Sequence, residues 1–261
     1  MQLVYSFLMQ LFEWLLPIGV LLGGKATLFV SGRKKVFDQL KNNIKSSDKT
    51  FWFHVASLGE YEQGLPVIKA IKKEYPKHKI VITFFSPSGY EVVKDKSIAE
   101  ATTYLPLDTP NNAKRFLELV HPEKAFFVKY EFWPNYLNQL NKAHIPTYLI
   151  AGAFRKNQMF FKPWGGRYRK LLRGFTHLFV QNEQSLQLLN QIDVKQASIS
   201  GDTRFDRVGT SKSPLSFMKA FCSERKCIVA GSIWPEDEAV LIDAIKHTPD
   251  DWCWLIAPHE I

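Results

Sequence analysis

Cysteine is scarce in this sequence, and several nucleotide- and metal-binding signatures are missing altogether. Only Cys222, Cys227 and Cys253 occur among 261 residues. The odd count argues against a disulfide framework and points to a reducing, cytoplasmic compartment. The three cysteines lack metal-ligand spacing, and with no HExxH or Cys/His cluster no metal is expected. No GxxxxGK[ST] loop and no GxGxxG fingerprint is present, so ATP hydrolysis and dinucleotide redox chemistry both lose ground. Low-complexity tracts are also missing: 46% hydrophobic and 23% charged residues exclude disorder and leave ample material for a core. Acidic residues are in deficit. The 34 Lys+Arg against 25 Asp+Glu leave a formal charge of +9, which suits nucleic acid, an anionic membrane surface or an anionic small molecule.

What is present begins with an apolar N-terminus. Residues 3–23, LVYSFLMQLFEWLLPIGVLLG, are almost continuously apolar and about as long as a bilayer-spanning helix. Glu13 and Pro17 interrupt the run, and neither the basic n-region nor the cleavage site of a secretory signal is evident. Lys25, Arg33, Lys34, Lys35, Lys41 and Lys45 follow, with Asp38 the only acid before Asp48. Basic residues beside an apolar anchor favour the cytoplasmic side and anionic headgroups. Residues 1–46 therefore read as a membrane anchor with a basic juxtamembrane segment, spanning the bilayer or lying in its interface. The alternative is a buried N-terminal helix of a soluble domain.

From residue 51 onward short apolar runs alternate with amphipathic stretches. Strands are predicted over 51–56, 79–84, 102–105, 125–129, 147–151, 177–181 and 197–200, and helices over 62–74, 111–120, 134–143, 168–173 and 183–191. Such alternation predicts an α/β fold with a parallel sheet and helices on both faces, with ligands beyond the carboxyl ends of the strands. This first domain covers 47–205. Residues 206–221 are rich in turn formers and read as a linker. A fresh strand–helix–strand unit occupies 222–261, and because one such unit cannot cover both faces of a sheet, the second domain is expected to be incomplete.

Candidate chemistry gathers at the predicted strand ends. In His54-Val55-Ala56-Ser57-Leu58-Gly59-Glu60 a glycine and a carboxylate occupy a strand-to-helix turn. Glu60 is a candidate general base if desolvation raises its pKa; the competing reading is a helix-start Glu that satisfies free backbone N–H groups. Ser86-Pro87-Ser88-Gly89-Tyr90 is a hydroxyl-rich turn suited to a phosphate or sugar, with Ser88 as a plain N-cap the alternative. Lys129-Tyr130-Glu131-Phe132-Trp133-Pro134-Asn135 places a second carboxylate, Glu131, at the rim; otherwise Trp133 is core and Glu131 pairs with Lys129 or Arg155. Between Glu131 and Glu183 there is no acid, while Arg155, Lys156, Lys162, Arg167, Arg169, Lys170 and Arg173 interleave with Phe154, Phe160, Phe161, Trp164 and Tyr168. That mixture suits a membrane interface or stacked nucleobases, and the apolar N-terminus favours the membrane. Gly231-Ser232 before Pro235-Glu236-Asp237-Glu238 forms a further anion turn, better matched to a monophosphate ester than to a triphosphate.

The succession HVASLGE, TFFSPSGYE, YEFWPN, AGAFR, FVQNEQSLQLL, SGDTRFDRV, AGSIWPEDE and APHE resembles the Kdo (3-deoxy-D-manno-octulosonic acid) transferases of lipopolysaccharide synthesis over almost the whole chain. The resemblance implies a GT-B glycosyltransferase: two Rossmann-like domains, CMP-Kdo as donor, the lipid A precursor lipid IV-A as acceptor, inversion at the anomeric carbon and no metal. It implies Glu60 as the general base, with Glu131 supporting the acceptor site. On the acceptor side it points to Ser57, Gly59, Ser86, Ser88, Gly89 and Arg155. On the donor side it points to Arg204, where the family usually has lysine, with Gly231, Ser232, Glu238, Pro258 and His259. The usual P-R-H appears as Pro258-His259 without its arginine. It implies anchoring at the cytoplasmic face of the bacterial inner membrane and no nucleic-acid partner. A GT-B enzyme using a UDP-sugar, and a non-catalytic membrane-bound binding module, are the competing readings.

Overall fold

The computed structural model describes residues 2–208 and 216–259. The chain divides into two compact units, Met1–Val208 and Gly209–Ile261. The expected linker overlaps short helices at both ends, and its central part, 209–215, lies outside the described residues.

Unit 1 opens with helices α1 (Gln2–Leu15), α2 (Gly24–Lys34) and α3 (Val36–Asn43). The apolar run is not one continuous α-helix. Pro17 cannot donate to the ladder, and residues Leu16–Leu22 continue as a 3-10 helix. Seven strands and the intervening helices follow: β1 (Thr50–Val55), α4 (Leu58–Glu74), β2 (Lys79–Phe84), α5 (Pro87–Val93), β3 (Ala101–Tyr104), α6 (Pro110–Val120), β4 (Pro122–Val128), α7 (Pro134–Lys142), β5 (Thr147–Gly152), α8 (Gly166–Arg173), β6 (His177–Val180), α9 (Glu183–Gln191) and β7 (Ala197–Ile199), with a last turn α10 (Phe205–Val208).

Every pair of neighbouring strands is parallel, and their order is β3-β2-β1-β4-β5-β6-β7. The chain winds outward from β1 to β3, then returns to the other side of β1 through β4. The order therefore reverses between β1 and β4, and the crevice at their carboxyl ends is the topological switch point of a doubly wound sheet. Strand β1, TFWFHV, is buried at every position. Trp52, Phe53, Ile80, Ile82 and Phe127 are fully buried around it, so β1 is the spine of the core.

Arg33, expected among the headgroup-facing cations, is instead inside the protein at 8% exposure. It donates from Nε to the Leu105 carbonyl (3.1 Å), from Nη1 to Phe29 (3.1 Å) and from Nη2 to Phe85 (2.8 Å), with its guanidinium 3.5 Å from the Phe29 ring centroid. Burial lowers its pKa to about 9. Guanidinium is weakly hydrated and can satisfy several carbonyls at once, which makes arginine the cation that tolerates this position. Arg33→Leu takes the side-chain donors away from those carbonyls. Its expected cost is about 1–3 kcal/mol, read from the urea midpoint, and Arg33→Lys restores little of it.

Unit 2 contains α11 (Ser216–Cys222), β8 (Lys226–Ile233), α12 (Pro235–Lys246) and β9 (Trp252–Pro258), with β8 and β9 parallel. Among its described residues only Ile233 and Cys253 are buried.

Candidate active site

Two carboxylates meet at the switch point. Glu60 follows β1 and Glu131 follows β4, and these strands pair directly. The local sequence explains how Glu60 is placed. Ser57 is extended (φ −137°, ψ 171°) and its hydroxyl accepts from the Glu60 N–H (3.4 Å). The Glu60 carboxylate reaches back to accept from the Ala56 N–H at 2.5 Å. Ser57-Leu58-Gly59-Glu60 is thus a variant of the S-x-x-E capping box, which starts α4 at Leu58 rather than at residue 62 as expected. Glu60 therefore does cap the helix, and the capping contact fixes its orientation. Partial burial and then the charge of Glu131 push its pKa up to about 7, against the opposing backbone N–H bonds. Its two readings coexist: the cap aims the carboxylate, and the desolvated site keeps it poised near neutrality.

Glu131 is held differently. It pairs with neither Lys129 nor Arg155; its partners are His54 and Trp133. The hydrogen bond from His54 to Glu131 assigns the ring proton to Nε2, although Trp133 Nε1 also lies 2.9 Å from that nitrogen. Trp52 Nε1–H donates to Thr83 Oγ1 (2.8 Å), and the Thr83 hydroxyl donates to His54 Nδ1 (2.8 Å). His54 Nε2–H then donates to Glu131 Oε2 (3.2 Å), as does Trp133 Nε1–H (2.9 Å). His54 and Thr83 are fully buried. Lys129, just before this turn, has a left-handed backbone (φ 63°), a strained conformation for a residue with a side chain. It also lowers the pKa of Glu60 by its charge.

The turn after Glu131 is anchored by Asp108, which is fully buried. Its carboxylate accepts from the backbone N–H groups of Asn135 (3.1 Å) and Tyr136 (3.0 Å), capping α7, and from the Tyr5 hydroxyl of α1 (2.9 Å). The apolar N-terminal helix is thereby tied to the same turn that carries Glu131.

The hydroxyl turn after β2 lies beside the Ser57 turn. Ser86 and Ser88 share a hydrogen bond (2.8 Å) and Ser88 is exposed, while Gly89 is buried against the Ser57–Leu58 backbone. Neither serine side chain caps α5. Gly59 is exposed on the first turn of α4. Arg155 is exposed and bonds only locally, its N–H donating to Gln158 Oε1 (3.0 Å). The basic–aromatic interval divides in two. Phe154 and Phe160 belong to the core, contrary to a shared surface, whereas Trp164 is 67% exposed and Arg167 and Lys170 are exposed as well. Arg169 is spent on the carbonyls of Phe160, Lys162 and Pro163.

Arg204 also lies in unit 1, where Asp202 holds its guanidinium (Nε to Oδ2 2.9 Å). Asp202 in turn accepts from Nε2 of the buried Gln63 (2.8 Å), which stands one turn beyond Glu60 on α4. In unit 2, Gly231, Ser232, Pro258 and His259 gather at the carboxyl ends of β8 and β9. Ser232 Oγ lies 2.6 Å from His259 Nδ1, and Trp234 stacks on the His259 ring at 4.2 Å. Glu238 is exposed on α12, apart from that pair in hydrogen bonding. A shallow hollow lined by Lys69, Lys72, Lys73 and Ile98 lies at the opposite end of α4 from Glu60.

His54, Thr83, Asp108, Gln63 and Trp234 were not singled out for roles by sequence reasoning. For the first two a signal exists: FWFHV and IVITF each carry one polar side chain inside an otherwise apolar strand, and a buried polar group needs a partner. The cysteines lack metal-ligand spacing in the sequence, yet the fold gathers them. Cys222, Cys227 and Cys253 have their sulfurs within 4.8 Å of one another.

Known proteins share this fold and this sequence family. Solved structures with the same fold include UDP-GlcNAc 2-epimerase from Neisseria meningitidis (TM-score 0.56, 16% identity, 79% of this chain and 64% of that one). The wall teichoic acid polymerase TagF is another (TM-score 0.52, 15% identity, 98% and 65%). These likenesses show the fold alone, an α/β fold of the GT-B class. Curated relatives named 3-deoxy-D-manno-octulosonic acid transferase include those of Aquifex aeolicus (30% identity, 79% of this chain and 52% of the relative) and Rickettsia felis (28%, 78% and 45%). The chain spans about half the length of the relatives it matches. The family model described as 3-deoxy-D-manno-octulosonic-acid transferase (kdotransferase) matches residues 31–207, the segment that carries both rim carboxylates, and this chain belongs to that family.

Proposed function

We propose that the protein transfers Kdo from CMP-Kdo to a glucosamine hydroxyl of the lipid A precursor lipid IV-A, with Glu60 as general base. The observation that supports this most is Glu60 itself: a carboxylate with its pKa near 7, oriented by a helix cap, at the switch point of the sheet. The acceptor hydroxyl attacks the anomeric carbon of Kdo from the face opposite CMP. The new C–O bond forms as the bond to the phosphate oxygen breaks. The hydroxyl proton passes to Glu60, and CMP leaves with the bonding electrons. A phosphate leaving group needs little help from strong acid, so positioning and stabilisation of the departing charge lower most of the barrier. Ser57, Gly59, Ser86, Ser88, Gly89 and Arg155 would line the acceptor side. Arg204, Gly231, Ser232, Glu238, Pro258 and His259 would serve the donor, and no metal enters the step.

Mass-spectrometric analysis of products from CMP-Kdo and a lipid A precursor tests the proposal. The expected product is the Kdo-bearing lipid; turnover of a UDP-sugar in its place would overturn the donor assignment. The pH profile tests the carboxylate pair separately. Burial first and the charge of Glu131 second hold Glu60 near 7, and Glu131→Gln removes the second, so the acidic limb of kcat/KM moves to lower pH. An unmoved limb would show that Glu131 does not act on Glu60.

For the membrane, the reading is an interfacial helix on the cytoplasmic face of the inner membrane. Residues Gln2–Val20 are long and apolar enough to span, and none is buried. Yet Tyr5, Ser6 and Glu13 bond to Asp108, Asn135 and Asn112 of the same unit, so one side of α1 is docked along its length. Leu3, Phe7 and Trp14 point outward at 86%, 66% and 77% exposure. Each contributes about 1.5–3 kcal/mol if immersed. Phe7→Asp with Trp14→Asp is expected to move the protein from liposome-bound to free in flotation assays. Retention of this double variant on liposomes would exclude α1 as the anchor.

A further inference from the structure

The three cysteines of unit 2 carry chemistry that sugar transfer does not use. They come from three separate elements: Cys222 ends α11, Cys227 lies near the start of β8 and Cys253 near the start of β9. Parallel pairing sets Cys227 opposite Cys253, so both side chains leave the same face of the sheet. The return from α11 to β8 takes only Ser223, Glu224 and Arg225. Ser223 is left-handed (φ 50°), and the Arg225 N–H donates to the Cys222 carbonyl (2.9 Å). This tight turn brings Cys222 over the same pair. All three thiols are free, with Cys253 buried and the others half-buried.

The three sulfurs lie within 4.8 Å of one another, and among the described residues no imidazole or carboxylate joins the group. Three thiolates around one ion at ~2.3 Å would stand ~4.0 Å apart, within a small side-chain adjustment of what is found. Sulfur-only donors select soft ions, and a set of three fits a trigonal ion directly or a tetrahedral one completed by water. Loading an ion forms three metal–sulfur bonds and releases the three thiol protons to solvent.

We propose that Cys222, Cys227 and Cys253 form a binding site for a soft d10 cation, Cu(I) or Zn(II), that clamps α11 to the β8–β9 pair. The test uses the reduced chain without oxygen, titrated with Cu(I) or Zn(II) against a competing chelator. Expected are one ion per chain, loss of three reactive thiols, and three sulfur neighbours at ~2.3 Å by X-ray absorption. Cys222→Ser, at the end of α11 and away from the strand register, is expected to weaken binding at least tenfold, and the triple serine variant to abolish it. Uptake no greater than that of the triple variant, nitrogen or oxygen neighbours only, or unchanged affinity in Cys222→Ser would each overturn the site. Circular dichroism establishes that the variants fold; if replacement of Cys253 unfolds unit 2, Cys222→Ser and the absorption spectrum of the native chain decide.

Discussion

Glu60→Gln is expected to lower kcat for Kdo transfer by about 10²–10⁴-fold, the usual contribution of a positioned general base. The substitution is nearly isosteric, and the amide oxygen can still accept from the Ala56 N–H, so the start of α4 is retained. What disappears is the basic electron pair. In the native protein activity should rise with pH as Glu60 ionises near 7, and at pH 6 only about a tenth of the chains would carry the base. The variant's residual rate should be flat across that interval. Stability moves the other way. A carboxylate whose pKa is raised from 4.5 to about 7 on folding binds its proton more tightly in the native state, so its contribution falls as pH climbs through that window and stays lost above it. Glu60→Gln removes this pH dependence, and its melting temperature at pH 8 should equal or exceed that of the native chain. A full loss of turnover with unimpaired stability identifies the carboxylate as functional. Turnover within a few-fold of native would leave Glu60 as a helix cap and nothing more.

Much of this site was legible before the structure because its logic is local. Ser57-Leu58-Gly59-Glu60 announces a helix start by its spacing, and Pro134 announces another after Glu131. Apolar runs of four to seven residues mark the strands of the sheet, and a carboxylate just beyond such a run falls at its ligand-binding edge. Long-range placement was less accessible. That β1 and β4 are neighbours follows from a reversal in strand order, which no local pattern encodes, and it is this adjacency that lets Glu131 raise Glu60. Arg33 looked like one more juxtamembrane cation, since its partners are backbone carbonyls up to 72 residues away and carbonyls leave no trace in composition. Asp108 is similar, since the backbone N–H groups of α7 that it caps lie 27 and 28 residues further along the chain. The cysteines show the converse. Their sequence spacing matches no metal signature, yet strand register and a three-residue turn bring them together.

Gly89→Ala should have the second largest effect, about 10²-fold on kcat/KM, although Gly89 contributes no side-chain chemistry. Its backbone has an ordinary conformation; the constraint is space. A Cβ at this position would stand 2.7 Å from the Leu58 nitrogen, 2.9 Å from the Ser57 carbonyl carbon and 2.9 Å from the Phe84 ring. Two of these are backbone atoms in the turn that launches α4, so no rotamer change relieves the contact. Either α5 moves away, taking Ser86 and Ser88 with it, or the Ser57–Leu58 turn moves and carries Glu60. A displacement of order 1 Å at a reacting group costs about 10²-fold in rate, because the base and hydroxyl lose their attack geometry. The expected cost in stability is about 1–3 kcal/mol of overpacking. Gly59 is the control on the same turn: it is exposed, and a Cβ there meets nothing within 4 Å. Gly59→Ala should therefore fold and cap normally, and any loss of transfer in it reports on the space the acceptor needs. If Gly89→Ala keeps native kcat/KM while Glu60→Gln abolishes turnover, the two turns do not form one rigid platform, and the acceptor is oriented from elsewhere.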